Sequence, residues 1–254
     1  MCMLRPLILV ILFILLVHAC ADKAKAATVT AQSWIVADGN GQIITGTNPD
    51  QVRPIASITK LLTVMIVIDA NQPMDEVLYR KSTRAELINL ALVKSDNNAA
   101  SVLCNQYPDG YNECIHMMNR KANELFMTST YVREPTGLDA DNVSTASDLI
   151  KLVRAASEYP VIVTASQISQ ITSNAKRHVV KKNTNPLVGH GYDFIVSKTG
   201  FINKSGGCIV ANTLTKLGER TFVILGSRNT HTRIIELKHL IDATNRELHE
   251  NHRY

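Results

Sequence analysis

The chain is poor in aromatic residues, 5% in all with a single tryptophan, and it holds only five cysteines in 254 residues. So few cysteines cannot build the dense crosslink framework of a small secreted domain, and a chain of this length buries enough core to need none. There is no cluster of Lys and Arg interleaved with aromatic side chains, which removes the usual footprint of nucleic-acid binding. Solenoid repeats of 20–50 residues are absent, and no Pro- or Ser-rich linker divides the chain. What is present, 45% hydrophobic and 19% charged residues with a formal net charge of +5, fits a folded globular protein and excludes disordered, collagen-like and coiled-coil chains.

The N-terminus carries its own message. Arg5 precedes an uncharged apolar run of eleven residues, Leu7 to Val17, short of the ~20 that span a bilayer comfortably. A basic start, an apolar middle and the small-residue site Ala24-Lys25-Ala26 predict a secretory signal peptide over residues 1–26. The mature chain, 27–254, is then a single exported domain with no transmembrane anchor, and its expected location is the periplasm. Val17-His18-Ala19-Cys20 loosely resembles a lipobox, which keeps lipid attachment at Cys20 as the alternative, although His18 fits that pattern badly. Export puts Cys104, Cys114 and Cys208 in an oxidising compartment. Cys104 and Cys114 flank the turn-like Tyr107-Pro108-Asp109-Gly110, so a bridge between consecutive helices and a set of free buried thiols both remain open.

Along the mature chain, β-formers around Trp34 and the turn Asp38-Gly39-Asn40-Gly41 predict a hairpin. From Ser57, Leu61 to Ile68 is apolar nearly all round, the mark of a buried helix. Thr83-Arg-Ala-Glu86 reads as a capping box opening a helix that ends near Lys94. Further helices are expected over 98–106, 111–125 and 145–156, with another from Pro160. The pattern then turns to β: Asp193–Ser197, Cys208–Thr213 and Thr221–Leu225, closed by a helix from Thr232 to about Leu248. Strands at both ends around an all-helical insert predict an α/β chain of the α+β type, one mostly antiparallel sheet flanked by helices.

Three short motifs occur in order: Ser57-Ile-Thr-Lys60, Ser95-Asp-Asn97 and Lys198-Thr-Gly200. Each alone is weak, because Ser173-Asn-Ala-Lys176, Ser227-Arg-Asn229 and Lys204-Ser-Gly206 match the same patterns. Context separates the sets. Ser57 stands at the mouth of the buried helix, and the offset of three places Lys60 on the same face one turn later. An amine there can activate a hydroxyl that is otherwise a poor nucleophile, beside the positive end of a helix. The plain alternative, an N-cap serine and a snorkelling lysine, sits awkwardly on the most hydrophobic helix of the mature chain. Ser95-Asp-Asn97 falls between two helices, where it can aim side chains into a cleft or simply cap. Lys198-Thr-Gly200 ends the strand Phe194–Ser197, where an edge strand with a cation can hold an extended peptide by its carboxylate. His249 and His252 have the spacing of a metal pair but read as a solvated tail, so no metal or other cofactor is expected.

The ordered trio resembles the serine acyl-enzymes of the penicillin-binding protein and β-lactamase group. Val52 to Leu62, Glu134-Pro-Thr-Gly-Leu138 with Asn142 to Ala146, and Lys198 to Ile202 with Gly206 to Val210 narrow it to the low-molecular-mass D-alanyl-D-alanine peptidases, and more closely to their endopeptidase branch. The likeness runs from about residue 28 to 245. It implies a β-lactamase/transpeptidase-like fold, peptidoglycan stem peptides and crosslinks as substrate, and β-lactams as covalent inhibitors. It also implies roles: Ser57 as nucleophile, Lys60 as the base that must be neutral, Ser95 as proton relay, and Asn97 as holder of the substrate amide and of Lys60. Lys198 and Thr199 would bind a carboxylate, Gly200 would let a backbone approach, and the amides of Ser57 and Phe201 would form an oxyanion hole. Burial and the nearby charge of Lys198 are both expected to push Lys60 towards its neutral form. The second motif departs from the branch, which often has Glu where Asp96 stands, and Cys104 and Cys114 lie outside the family pattern.

Three rival readings fit parts of the pattern. A β-lactamase would use a dedicated glutamate to deacylate, and Glu134-Pro135 invites that comparison, but the following Thr-Gly-Leu-Asp fits the peptidases and makes the glutamate structural. Carboxypeptidases commonly add a β-domain and a membrane-binding tail, for which the chain ending at Tyr254 leaves no room, so endopeptidase action is the main expectation. A non-catalytic envelope-binding module would have no reason to keep Ser57 with Lys60.

Overall fold

The computed structural model describes residues 29–173 and 179–251, with side chains over 29–172 and 180–246. The segment 1–26 expected to be a signal peptide, Cys20 within it, Lys176 and the side chains of His249 and His252 lie outside the described residues.

Five strands form one sheet in the order β2-β1-β11-β10-β9, where β1 is Ser33–Asp38, β2 Ile43–Thr47, β9 Asp193–Ile202, β10 Gly206–Thr215 and β11 Gly218–Ser227. Every neighbouring pair is antiparallel, and the N-terminal hairpin joins the C-terminal strands through Ser33 opposite Leu225. Side chains alternate between two apolar layers, as strand geometry demands. Val36, Phe194, Ile209, Ala211, Phe222 and Ile224 pack with Leu237, Leu240 and Ile241 of the C-terminal helix, Thr232–Asn251. On the other face, Ile35, Val196, Val210, Val223 and Leu225 join the core of the helical insert.

That insert is built around helix α1, Lys60–Asp69, in which every residue from Lys60 to Val67 is buried. A 3-10 turn, Ala56–Thr59, leads into it. The Thr83/Glu86 capping box is present and opens α2, Arg84–Asn89, which continues as a π turn over Leu90–Lys94. Helices α3 (Asn97–Asn105), α4 (Tyr111–Glu124), α5 (Ala146–Ser157) and α6 (Pro160–Gln167) follow. The helices expected in the insert therefore form within a residue or two of their expected bounds, and the C-terminal helix runs past the expected Leu248 to Asn251. Cys104 and Cys114 are disulfide-bonded, joining α3 to α4, and Cys208 is free and buried. Among the described residues no helix is long and apolar enough to cross a membrane.

One expectation needs correction. The strand runs on to Ile202, so Lys198-Thr-Gly200 lies inside β9 rather than at its end, with Cys208 opposite Gly200 and Val210 opposite Lys198. Pairing with β10 carries the ladder on to the turn at Asn203–Ser205, overriding the low strand preference of Lys and Gly. The expected edge position holds, since β9 ends the sheet.

Candidate active site

Ser57 projects from the 3-10 turn directly after Ala56, whose φ of 47° is left-handed. One turn on, the Lys60 side chain is fully buried and its Nζ lies 2.7 Å from Ser57 Oγ. Two further acceptors flank the same nitrogen: Asn97 Oδ1 at 2.8 Å and the carbonyl oxygen of Thr136 at 2.5 Å. The three groups come from three elements, α1, the start of α3 and the loop before β6 (Val143–Ser144).

The second motif is held by two local devices. Ser95 takes a left-handed conformation, φ 60°, which ends the π turn and reverses the chain. Asp96 then caps α3, accepting from Ala99 N at 2.9 Å. So the aspartate of the trio is the cap, and it leaves Ser95 and Asn97 aimed at the site. Ser95 Oγ accepts from Lys198 Nζ at 2.8 Å, and Lys198 also donates to the Thr199 carbonyl at 2.9 Å. Thr199 Oγ1 lies 2.6 Å from Thr184 Oγ1.

Gly200 and Gly137 are places where only glycine fits. A Cβ on Gly200 would stand 2.9 Å from the Ile55 carbonyl and 3.0 Å from Ser57 N, so β9 passes hard against the nucleophile turn. On Gly137, at φ 80°, it would stand 2.0 Å from the Ala56 carbonyl oxygen. Arg233, from the C-terminal helix, reaches through the sheet edge to donate to the Gly200 carbonyl at 2.5 Å.

Electrostatically the site weakens both lysines as bases. Burial lowers Lys60 from 10.5 to about 8, against the opposing carboxylates of Glu134 and Asp96. Lys198 falls well below 10.5, first through burial and then through the charges of Lys60 and Arg233. Of the two causes expected for Lys60, burial is the one that lowers it, because α1 is buried on every side, while the repulsion between the two lysines falls on Lys198.

These contacts bring Ser57, Lys60, Ser95, Asn97, Lys198, Thr199 and Gly200 together between the helical insert and β9, and Phe201 follows on the same strand, exposed. Sequence reasoning missed Thr136, Thr184 and Arg233. Thr136 contributes a carbonyl, which any residue has, and Arg233 is one more basic residue at the start of a helix. The decoy motifs are used elsewhere: Ser205 closes the β9–β10 turn by accepting from Ile202 N at 3.1 Å, and Ser227 Oγ donates to Glu236.

The family model described as D-alanyl-D-alanine carboxypeptidase matches residues 20–79 and 75–229. The chain is 35% identical over 246 residues to a D-alanyl-D-alanine endopeptidase of Escherichia coli, covering 87% of this chain and 79% of the relative. To the enzyme of that name from Pseudomonas aeruginosa it is 37% identical over 237 residues, covering 84% and 74%. Among solved structures, a penicillin-binding protein of Listeria monocytogenes with cefotaxime bound superposes with a TM-score of 0.75 at 24% identity, over 85% of this chain and 97% of that one. A D-alanyl-D-alanine carboxypeptidase of Mycobacterium tuberculosis gives 0.75 at 25% identity, covering 84% and 89%. The fold is that of the penicillin-binding transpeptidases, and the chain belongs to the D-alanyl-D-alanine carboxypeptidase family of serine peptidases.

Proposed function

We propose that this protein hydrolyses D-alanyl-linked peptide crosslinks of peptidoglycan through an acyl-enzyme on Ser57. The observation that carries this reading is the Lys60 amine, buried, weakened to about 8, and 2.7 Å from the serine oxygen. At neutral pH roughly a tenth of such an amine is uncharged and able to take a proton. A neutral amine has two N–H groups and one lone pair. With Asn97 Oδ1 and the Thr136 carbonyl accepting the two N–H groups, the lone pair faces Ser57.

In acylation, Ser57 Oγ attacks the D-alanyl carbonyl carbon while its proton passes to Lys60 Nζ. The oxyanion is met by the amides of Ser57 and Phe201, a pair whose donors are typically worth ~3 kcal/mol each. As the C–N bond breaks, the leaving amine takes a proton by way of Ser95, whose Oγ is held by Lys198. Water, deprotonated through Lys60, then hydrolyses the ester and frees Ser57. Lys198 and Thr199 bind the carboxylate of the strand-like substrate laid along β9. A β-lactam enters the same sequence and stays as a long-lived ester. Endopeptidase action is favoured over carboxypeptidase action because relatives at 35% and 37% identity carry the endopeptidase name, against 28% for a carboxypeptidase. The substrate places the enzyme in the periplasm, delivered there by residues 1–26.

Ser57→Ala should abolish both fluorescent-penicillin labelling and the splitting of crosslinked muropeptide dimers into monomers, with circular dichroism unchanged. Cleavage that survives in this variant would defeat the assignment. Release of single alanines in place of monomers by the unaltered enzyme would make it a carboxypeptidase.

A further inference from the structure

We propose that Glu134 is a positioning residue for the Ser57–Lys60 pair, acting by holding the Thr136 carbonyl against the Lys60 amine. This rests on the acyl-enzyme reading above and adds to it a residue that touches neither substrate nor nucleophile.

The carboxylate of Glu134 folds the loop around itself. Its Oε2 accepts from Thr136 N at 2.7 Å and Thr136 Oγ1 at 2.6 Å. Its Oε1 accepts from Gly137 N at 2.5 Å, Asn142 Nδ2 at 3.1 Å and Asp139 N at 3.3 Å. Five donors converge on two oxygens, which fixes the peptide planes on both sides of Thr136. The loop they fix is locked to the nucleophile turn. Asn142 Nδ2 donates to Thr59 Oγ1 at 3.2 Å, Ile55 N to the Asn142 carbonyl at 3.0 Å, and Thr63 Oγ1 to the Pro135 carbonyl at 2.8 Å.

The consequence falls on Lys60. Its lone pair faces Ser57 only while both N–H groups are taken, and one of them is taken by the Thr136 carbonyl. That oxygen also lies 3.3 Å from Ser57 Oγ, so a shift in it disturbs both partners. If the carbonyl moved away, the freed N–H would turn towards Ser57 and donate where it must accept. The same crowding of donors excludes the role of deacylating base, since neither Glu134 oxygen has a direction left for water.

Glu134 also acts on Lys60 by charge, as the larger of the two forces opposing burial. The charged groups facing Lys60 are Glu134 from the loop, Asp96 from the cap of α3 and Lys198 from β9. Tyr111, at the start of α4, lies in the field of Glu134 as well.

The test is the second-order rate of penicillin acylation of the full chain, measured against pH, for the unaltered enzyme, Glu134→Gln and Thr136→Val. The unaltered enzyme should show a rate rising with pH through the titration of Lys60. Glu134→Gln should lower the high-pH plateau about tenfold or more. It should also move the rising limb to lower pH by about one unit, because a negative charge that favoured the ammonium has gone. Thr136→Val keeps that charge and loses one bond to it, so its plateau should fall severalfold with the limb in place. A Glu134→Gln enzyme with an unaltered plateau, or a lowered plateau and an unmoved limb, overturns the proposal and leaves the carboxylate a loop-builder only. Should Glu134→Gln fail to fold, an unaltered plateau in Thr136→Val overturns it equally. An unaltered enzyme that forms no Ser57-dependent adduct would sink the acyl-enzyme reading itself, whatever the variants did.

Discussion

A lysine with no exposed surface is a liability to the fold, and at Lys60 the liability can be measured. Its amine is weakened from 10.5 to about 8 in the folded chain, so the unfolded chain binds that proton more tightly. Below about pH 8 the folded state carries the full penalty, roughly 3 kcal/mol by linkage. Between 8 and 10.5 the unfolded state holds more protons, and stability rises with pH. Lys60→Met lacks this dependence. The difference in urea-unfolding free energy, unaltered minus Met, should therefore rise by up to ~1 kcal/mol per pH unit from pH 8 upward. Parallel curves would mean that the amine is not weakened, and would remove the base from the proposed mechanism. Lys60 was legible in the sequence because an amine on an otherwise apolar helix has to be explained. Thr136 was not, because its working atom is a backbone carbonyl. Glu134 was legible only as a residue to set aside.

Elements were easier to read than their ends. The buried helix, the capping box and the hairpin each have a local cause in side-chain periodicity or in a cap, so each appears where expected. The end of β9 has no such cause, being set by the register of β10. Nor do the two-residue strands β3 (Arg53–Pro54) and β6, which pair across 90 residues of chain. The disulfide was open on sequence grounds, and folding decides it: α3 and α4 cross with the two Cα atoms 5.5 Å apart. The helix it ties carries Asn97 at its first turn. The bridge closes a short loop, with a sequence separation of 10, so the chain-entropy model gives it about 3 kcal/mol. Cys104→Ala/Cys114→Ala, or treatment with reductant, should lower the unfolding free energy by about that amount. A denaturation midpoint indifferent to reductant would count against the bridge.

At the scale of the whole molecule, the cleft exists because the first hairpin of the chain pairs with its last strands, leaving β9 as a free edge opposite the helical insert. Distant β segments around a helical middle announced the sheet, but its order came only from long-range pairing that no local pattern encodes. Lys198 is the side chain that crosses from one part to the other, from β9 to Ser95 Oγ at 2.8 Å. It is buried, it faces the like charges of Lys60 and Arg233, and it is held well below its ordinary value. A carboxylate arriving beside it would remove much of that stress and restore its affinity for a proton. Binding of a D-alanyl peptide to the Ser57→Ala protein, followed from neutral to alkaline pH, should then take up a proton below the ordinary lysine range, seen by calorimetry in two buffers of different ionisation heat. The sign follows from linkage: affinity weakens as pH rises from the lowered value of free Lys198 towards 10.5. Lys198→Met should lose both the proton uptake and most of the affinity. Binding with no proton uptake would show that the substrate carboxylate is held elsewhere, and that the edge strand contributes only its backbone.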